Sequence, residues 1–398
     1  MLALTGATIY PITSSVIKNG TVLIGKDGRI KKVGAKVKLP KGCQTINCKG
    51  LNIYPGFIEA HCHLGINREG LGAIGSHANE MTAPITPDMQ AFDAVDVQDM
   101  HFKKALFEGG VTTANVSPGS GNIIGGTCDV ITVKPARTAE ELMVKPMIAL
   151  KMAFGENPFR VYGSQKRSPA TRMAIPALIR DQFTKVQNYI GRRKEAKKGK
   201  KHFDKDTKLE VLAKLLERKI PAHCHAHEAF DIMTSLRMAK EFGYRMVCVH
   251  GTGSATVAKE LKKAKIPVIL GPQGGFNGKI ENRHRSLETA RQLAEAGIEF
   301  SISTDHPVIP LRDIRIEAAK MVNRGLDPKI AIKALTAVPA KILGLEKEIG
   351  AIKPGMRANL IVWDGDPLDI ANGKVRHSIV DGQLIERQTT EKGDFLEV

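Results

Sequence analysis

The chain has 398 residues, 42% of them hydrophobic, enough for one large α/β core or two domains without staples. Its six cysteines, at positions 43, 48, 62, 128, 224 and 248, show no Cys-X-X-Cys spacing, which argues against a disulfide framework or a zinc ribbon and suits a reducing cytoplasm. A formal charge of +18 with only 5% aromatic residues points toward polyanions yet leaves few platforms for base stacking, so nucleic acid is not an expected partner.

Segments 7–10, 21–24 and 30–33 read as short strands separated by turns, and the same texture returns at 358–363 and 375–380 beside the turns Lys353-Pro354-Gly355 and Asp381-Gly382. Two β-rich ends around a different middle suggest a small β-sandwich domain built from 1–54 and 346–398. The middle, 55–345, alternates strands and helices. Its strands are expected to end at His61 and to cover 110–116, 129–133, 146–151, 219–223, 245–250, 266–270 and 298–303. Helical signals lie between them: Thr86 as N-cap with Pro87 behind it and a stop near Gly109, a helix starting at Ser168-Pro169 with Phe183, Val186 and Ile190 at helical spacing, and one from 231 to 242 stopped by Gly243. Eight strands is the count of a (β/α)8 TIM barrel, with an open doubly wound sheet as the alternative. No stretch approaches about 18 uninterrupted apolar residues, and the first residues lack a basic region ahead of an apolar run, so a soluble cytoplasmic chain is expected, with no membrane partner.

The chemistry-bearing residues fall at strand ends. Pro55-Gly56-Phe57-Ile58-Glu59-Ala60-His61-Cys62-His63 ends in two histidines spaced i, i+2, which share one strand face and can converge on one ion; a plain sheet-edge pair is the alternative. Lys151, His223, His250 and Asp305 close later strands, and in a barrel all those ends face one mouth. Cys62 and Cys224 alternate away from the histidines beside them and read as core fillers. The basic run 192–201 has no interleaved aromatic residue and reads as a solvated helix end. Two glycine-rich loops, 117–126 and 271–278, lie where substrate would be; the first leads into a strand, which rules out a dinucleotide site.

These motifs resemble the amidohydrolase superfamily, and within it the imidazolonepropionase-like metal-dependent hydrolases. The run 55–63 is similar to the first-strand signature, Gly110-Val111-Thr112-Thr113 to the second-strand entry, and Ser303-Thr304-Asp305 to the eighth-strand ligand; residues 350–362 resemble the closing β-segment. The resemblance implies hydrolysis of an amide or cyclic amide carbon–nitrogen bond in a small-molecule substrate by a metal-activated hydroxide. It further implies two divalent ions, zinc being expected: His61, His63 and Asp305 on one, His223 and His250 on the other, and a carboxylated Lys151 bridging them, with Asp305 also the catalytic proton carrier.

Alternatives stay open within the same resemblance. Glu156, in Gly155-Glu156-Asn157-Pro158, is similar to the glutamate ligand of amino-sugar deacetylases, although Lys151 lies inside the apolar strand and Glu156 in the loop beyond. His225-Ala226-His227-Glu228 has the His-X-X-Glu spacing of mononuclear deaminases and imidazolonepropionase, where His225 would bind one metal and Glu228 would carry protons. Otherwise His225 is expected to contact substrate, and His227 to be an exposed loop histidine. Residues 64–86, with Asn67, Arg68, Glu69 and His77, form a candidate lid in which Arg68 would bind a substrate carboxylate. A homo-oligomer is possible, and a non-catalytic scaffold or a polyanion-binding protein is the reading from another class.

Overall fold

The computed structural model describes residues 1–68, 70–275 and 278–387; Glu69 of the expected lid, and Phe276 and Asn277 of the second glycine-rich loop, lie outside them. Both chain ends build one sheet: β1 (Leu2–Ile9), β2 (Ile17–Ile24), β3 (Ile30–Gly34), β4 (Gln44–Asn47) and β5 (Asn52–Pro55) from the first, with β14 (Leu360–Asp364), β15 (Lys374–Val380) and β16 (Gln383–Ile385) from the second. The strand order is β16-β15-β14-β5-β1-β2-β3, with β4 also pairing β1. The ends meet through β5 and β14, antiparallel with Leu360 opposite Pro55 and Trp363 opposite Asn52.

The expected β-domain of both termini is found, its strands joined in one hydrogen-bonded sheet. The reason lies in β1, whose register shifts between Thr5 and Ala7 around Gly6 (φ 78°). The bend lets its first half pair β4 and its second half β5 along one edge, as a bulge does. The period of two along β14 then serves two cores. Leu360 and Val362 join Leu4, Ile9, Ile24 and Ile53 inside the terminal sheet, while Ile361 and Trp363 face the barrel core.

The middle of the chain forms a nearly closed eight-stranded barrel whose strands follow one another in space: β6 (Phe57–Cys62), β7 (Val111–Val116), β8 (Ile124–Thr132), β9 (Met143–Ala153), β10 (Ala222–Ala226), β11 (Met246–His250), β12 (Val268–Leu270) and β13 (Phe300–Ile302). This is a TIM barrel with one departure. β8 runs antiparallel to both β7 and β9, because the connections at 117–123 and 133–142 are shorter than the dozen or more residues of a parallel crossover. Glu59 closes the circle between first and last strands. Its carboxylate accepts the His61 backbone N–H at 3.0 Å and both the N–H and hydroxyl of Thr304 at 2.8 Å.

Helices cover the outside. Helix Ala174–Lys198 buries Phe183 and Val186 at the expected spacing but begins at Ala174 and not at Ser168-Pro169, and helix Ala229–Phe242 ends at Gly243 in the left-handed region, as expected. The helix expected from Thr86 begins only at His101 (His101–Phe107). Thr86 is spent elsewhere, since its N–H and hydroxyl both donate to the Ile124 carbonyl, at 2.9 and 3.1 Å, tying 86–90 to β8. No helix among the described residues is long and apolar enough to cross a membrane.

Candidate active site

Every residue of β6 is buried, and its alternation sends His61 into the barrel mouth while Cys62 joins the apolar core, as Cys224 does on β10. Asp305 follows β13 and reaches across to the same point. Its Oδ1 stands 3.4 Å from His61 Nε2 and 3.4 Å from His63 Nε2, with no hydrogen-bond partner of its own among the described residues. Backbone carbonyls fix the imidazole tautomers: His63 Nδ1 donates to Ser117 O at 2.8 Å, and His250 Nδ1 donates to Gly271 O at 2.8 Å. Each ring therefore keeps the Nε2 lone pair for the mouth.

On the fifth strand it is His225, and not His223, whose donor atom comes together with that of His250. β10 runs to Ala226, past the His223 at which the apolar run seemed to stop, and its register with β11 pairs His223 with Val247, His225 with Val249 and Ala226 with His250. His225 therefore stands one register position below His250, and His223 lies two residues deeper, opposite Lys151. Donor atoms of His225, His227 and His250 fall within 4.8 Å of one another, as do those of His61, His250 and Asp305. His223 belongs to neither group, and both its nitrogens lack partners among the described residues.

His227 is buried, at 4% exposure, and not the exposed loop histidine expected. Its ring stacks on His250 with centroids 4.9 Å apart, held by a 2.8 Å hydrogen bond between Nδ1 and the Thr252 hydroxyl. Glu228 pairs with Arg283, which occupies the carboxylate that a mononuclear site would need free. Glu156 starts helix Glu156–Ser164 and faces Arg160 at 3.8 Å, and it belongs to neither donor group. Arg68 spends its fork on Asp96, 2.7 Å away, in place of a substrate carboxylate. Lys151 is 1% exposed, with Nζ 3.1 Å from His61 Nε2; burial pushes its ammonium down to about 8.

Two residues at the mouth carry no sequence signal. Asn157 reaches both the Ser120 hydroxyl, at 2.7 Å, and His225 Nε2, at 3.4 Å. Glu281, in the short turn Ile280–Asn282, is 1% exposed. Its Oε1 lies 3.7 Å from His225 Nε2 and 3.8 Å from His227 Nε2.

The donor set fits a divalent ion. Burial holds His61, His225 and His250 well below the usual histidine range, so the rings are neutral donors. Burial works the other way on Asp305, but the nearby His250, His61 and His63 outweigh it and hold its carboxyl well below the usual range, so the site offers an anion. Donors about 2.1 Å from a tetrahedral ion are roughly 3.4 Å apart, the separation seen around Asp305 Oδ1. Asp99, His101 and His306 also bring donor atoms together, but the Leu311 N–H donates to His306 Nδ1 at 3.3 Å. The His306 proton then sits on Nε2, the wrong tautomer for a ligand on that side.

Known proteins share this sequence pattern and fold. The chain is 26% identical over 384 residues to amidohydrolase tasK of Hapsidospora irregularis, across 90% of this chain but only 39% of that protein's length. It is 23% identical to an imidazolonepropionase of Rhizobium rhizogenes, with 90% of each covered. The crystal structure of an amidohydrolase from Thermotoga maritima MSB8 superposes with a TM-score of 0.94 at 42% identity, over 98% of this chain and 100% of that one. With the Amidohydrolase family model matching residues 52–385 as well, the chain belongs to the amidohydrolase family, enzymes that hydrolyse carbon–nitrogen bonds.

Proposed function

We propose that the chain hydrolyses an amide or cyclic amide with two divalent ions, zinc by preference, one held by His61, His63 and Asp305 and the other by His225 and His250. The observation that carries this reading is the unpartnered Asp305 Oδ1 at 3.4 Å from two imidazole nitrogens. His225 takes the place given by resemblance to His223, because its donor atom, and not that of His223, falls in one group with that of His250. Lys151 lies beside His61 at the floor of the mouth, where a carbamate formed on a neutral amine would bridge the two positions.

Divalent ions bound there lower the pKa of water and polarise a carbonyl oxygen. The protein supplies the rest. The carbonyls of Ser117 and Gly271 keep His63 and His250 in the ligating tautomer, and the carboxylate of Asp305 takes a proton from the attacking water at Oδ2 and returns it to the leaving nitrogen. Asn157, already bonded to Ser120, stands where it can orient substrate. Zinc as the metal, a small-molecule substrate and a cytoplasmic setting are part of the same proposal.

A mononuclear reading draws support from His225 joining the donor cluster, but the pairing of Glu228 with Arg283 weighs against it. The polyanion reading is weaker, since Arg193 of the basic run is occupied by Glu210 and Glu217. Metal content decides between one ion and two. Lys151→Ala is expected to lower two bound ions per chain to one; a variant that keeps the wild-type content removes the bridging carbamate. A screen of N-acyl amino acids, dipeptides, hydantoins and lactams is expected to yield at least one substrate whose hydrolysis a chelator abolishes.

A further inference from the structure

The second ion, as assigned by resemblance, has only two histidines and a modified lysine, whereas the mouth offers more. Glu281 is the most unusual group there. It is buried to 1% exposure, and its two oxygens have different fates. Oε2 accepts the Glu156 N–H at 2.9 Å, which fixes the plane of the carboxylate. Oε1 has no hydrogen-bond partner among the described residues, and a buried carboxylate oxygen without a partner is costly.

What surrounds Oε1 is a set of donor atoms held slightly too far away to hydrogen-bond. His225 Nε2 is at 3.7 Å and His227 Nε2 at 3.8 Å, beyond the usual reach of an N–H···O bond. Atoms around one ion about 2.1 Å away stand roughly 3.4 Å apart in a tetrahedron and somewhat farther in a trigonal arrangement. His227 is presented deliberately. Its Nδ1 is engaged by the Thr252 hydroxyl and its ring is stacked on His250, so Nε2 is the nitrogen directed at His225 and Glu281. Lys279 Nζ, at 3.9 Å from Oε1, is the cation an ion would have to displace.

We propose that His227 and Glu281 are ligands of the second ion, added to His225, His250 and the bridging Lys151. The inference rests on the two-ion reading above. On this account the turn Ile280–Asn282 becomes part of the metal centre.

The test is a titration of metal-depleted full-length chain with Co2+, followed by its visible absorption and by equilibrium dialysis with elemental analysis. Glu281→Gln suits it, because the amide oxygen still accepts the Glu156 N–H while an NH2 group replaces Oε1. Wild type is expected to take up two ions. Glu281→Gln and His227→Ala are expected to keep the first with unchanged affinity and to bind the second roughly 10–100-fold more weakly, with an altered visible spectrum. Lys279→Met is expected to tighten the second ion. Unchanged affinities and spectrum in a Glu281→Gln chain whose circular dichroism matches wild type overturn the inference and leave the two-ion reading standing. Wild type that takes up one ion or none overturns both.

Discussion

His223 and His225 share one face of β10 and differ in height, and that difference decides which of them stands with the donor atoms of His227 and His250. His225 lies one register position below His250, and His223 lies level with Lys151. Replacing His225 by alanine is therefore expected to remove bound metal and activity together, while His223→Ala keeps its metal; elemental analysis of the two purified variants checks this, and the reverse pattern would restore the assignment by resemblance. His61, His63, His250 and Asp305 were legible in the sequence because an apolar run marks each strand and the polar residue marks its end. The choice between His223 and His225 was not, since it depends on how far β10 extends beside β11. Glu281 was invisible for a related reason: nothing in a short turn after a glycine-rich loop says which way its carboxylate folds back.

Among elements, the barrel's strand count was readable from buried runs, whereas the reversal of β8 was not, because direction follows from connection length and pairing. Thr86-Pro87 read as a helix start for sound local reasons, and lost to hydrogen bonds with Ile124 that no local pattern encodes. Helix Ala174–Lys198 was legible, but the partner that fixes its C-terminal half was not. Arg193 donates to Glu210 at 2.8 Å and is joined to Glu217 as well, clamping that helix to Thr207–Leu216. Burial opposes ionisation of Glu210, but Tyr189 and Arg193 hold its carboxyl below the usual value. Burial likewise opposes Glu217, and Lys219 and Arg193 lower it. Because both folded values lie below the unfolded value of about 4.3, their contribution is present above that pH and is lost as pH falls through the folded values. Arg193→Met is expected to cost about 1–3 kcal/mol near neutral pH and progressively less below about pH 4.3. Denaturant melts at both pH values test this, and a gap that does not shrink in acid contradicts it.

At the scale of the molecule, the terminal sheet and the barrel are joined by the chain's one tryptophan. Trp363 is fully buried, 5.8 Å from the Phe57 ring and under the Arg315 guanidinium. Gly110 (φ 69°) lies so close that a Cβ there would come within 2.5 Å of the indole. Since β14 divides its side chains between the two cores, the units are expected to unfold together. Tryptophan fluorescence and far-ultraviolet circular dichroism should report coincident transitions, and Trp363→Ala should cost about 3–5 kcal/mol; separate transitions would show two independent units. We keep a division into 1–54 with 346–398 and 55–345 as a proposal that limited proteolysis can examine.

The joint between sheet and barrel positions β6, and through Glu59 it also positions β13, so the fold's purpose is to hold strand ends at one mouth. The central claim is that this mouth binds divalent metal for carbon–nitrogen bond hydrolysis. The most direct measurement is elemental analysis of wild-type protein purified without added metal, paired with hydrolysis assays before and after chelation. The account predicts two divalent ions per chain, and activity that disappears with them and returns when they are restored. Protein that carries no metal, takes none up from solution and gains no activity with any divalent ion would contradict it.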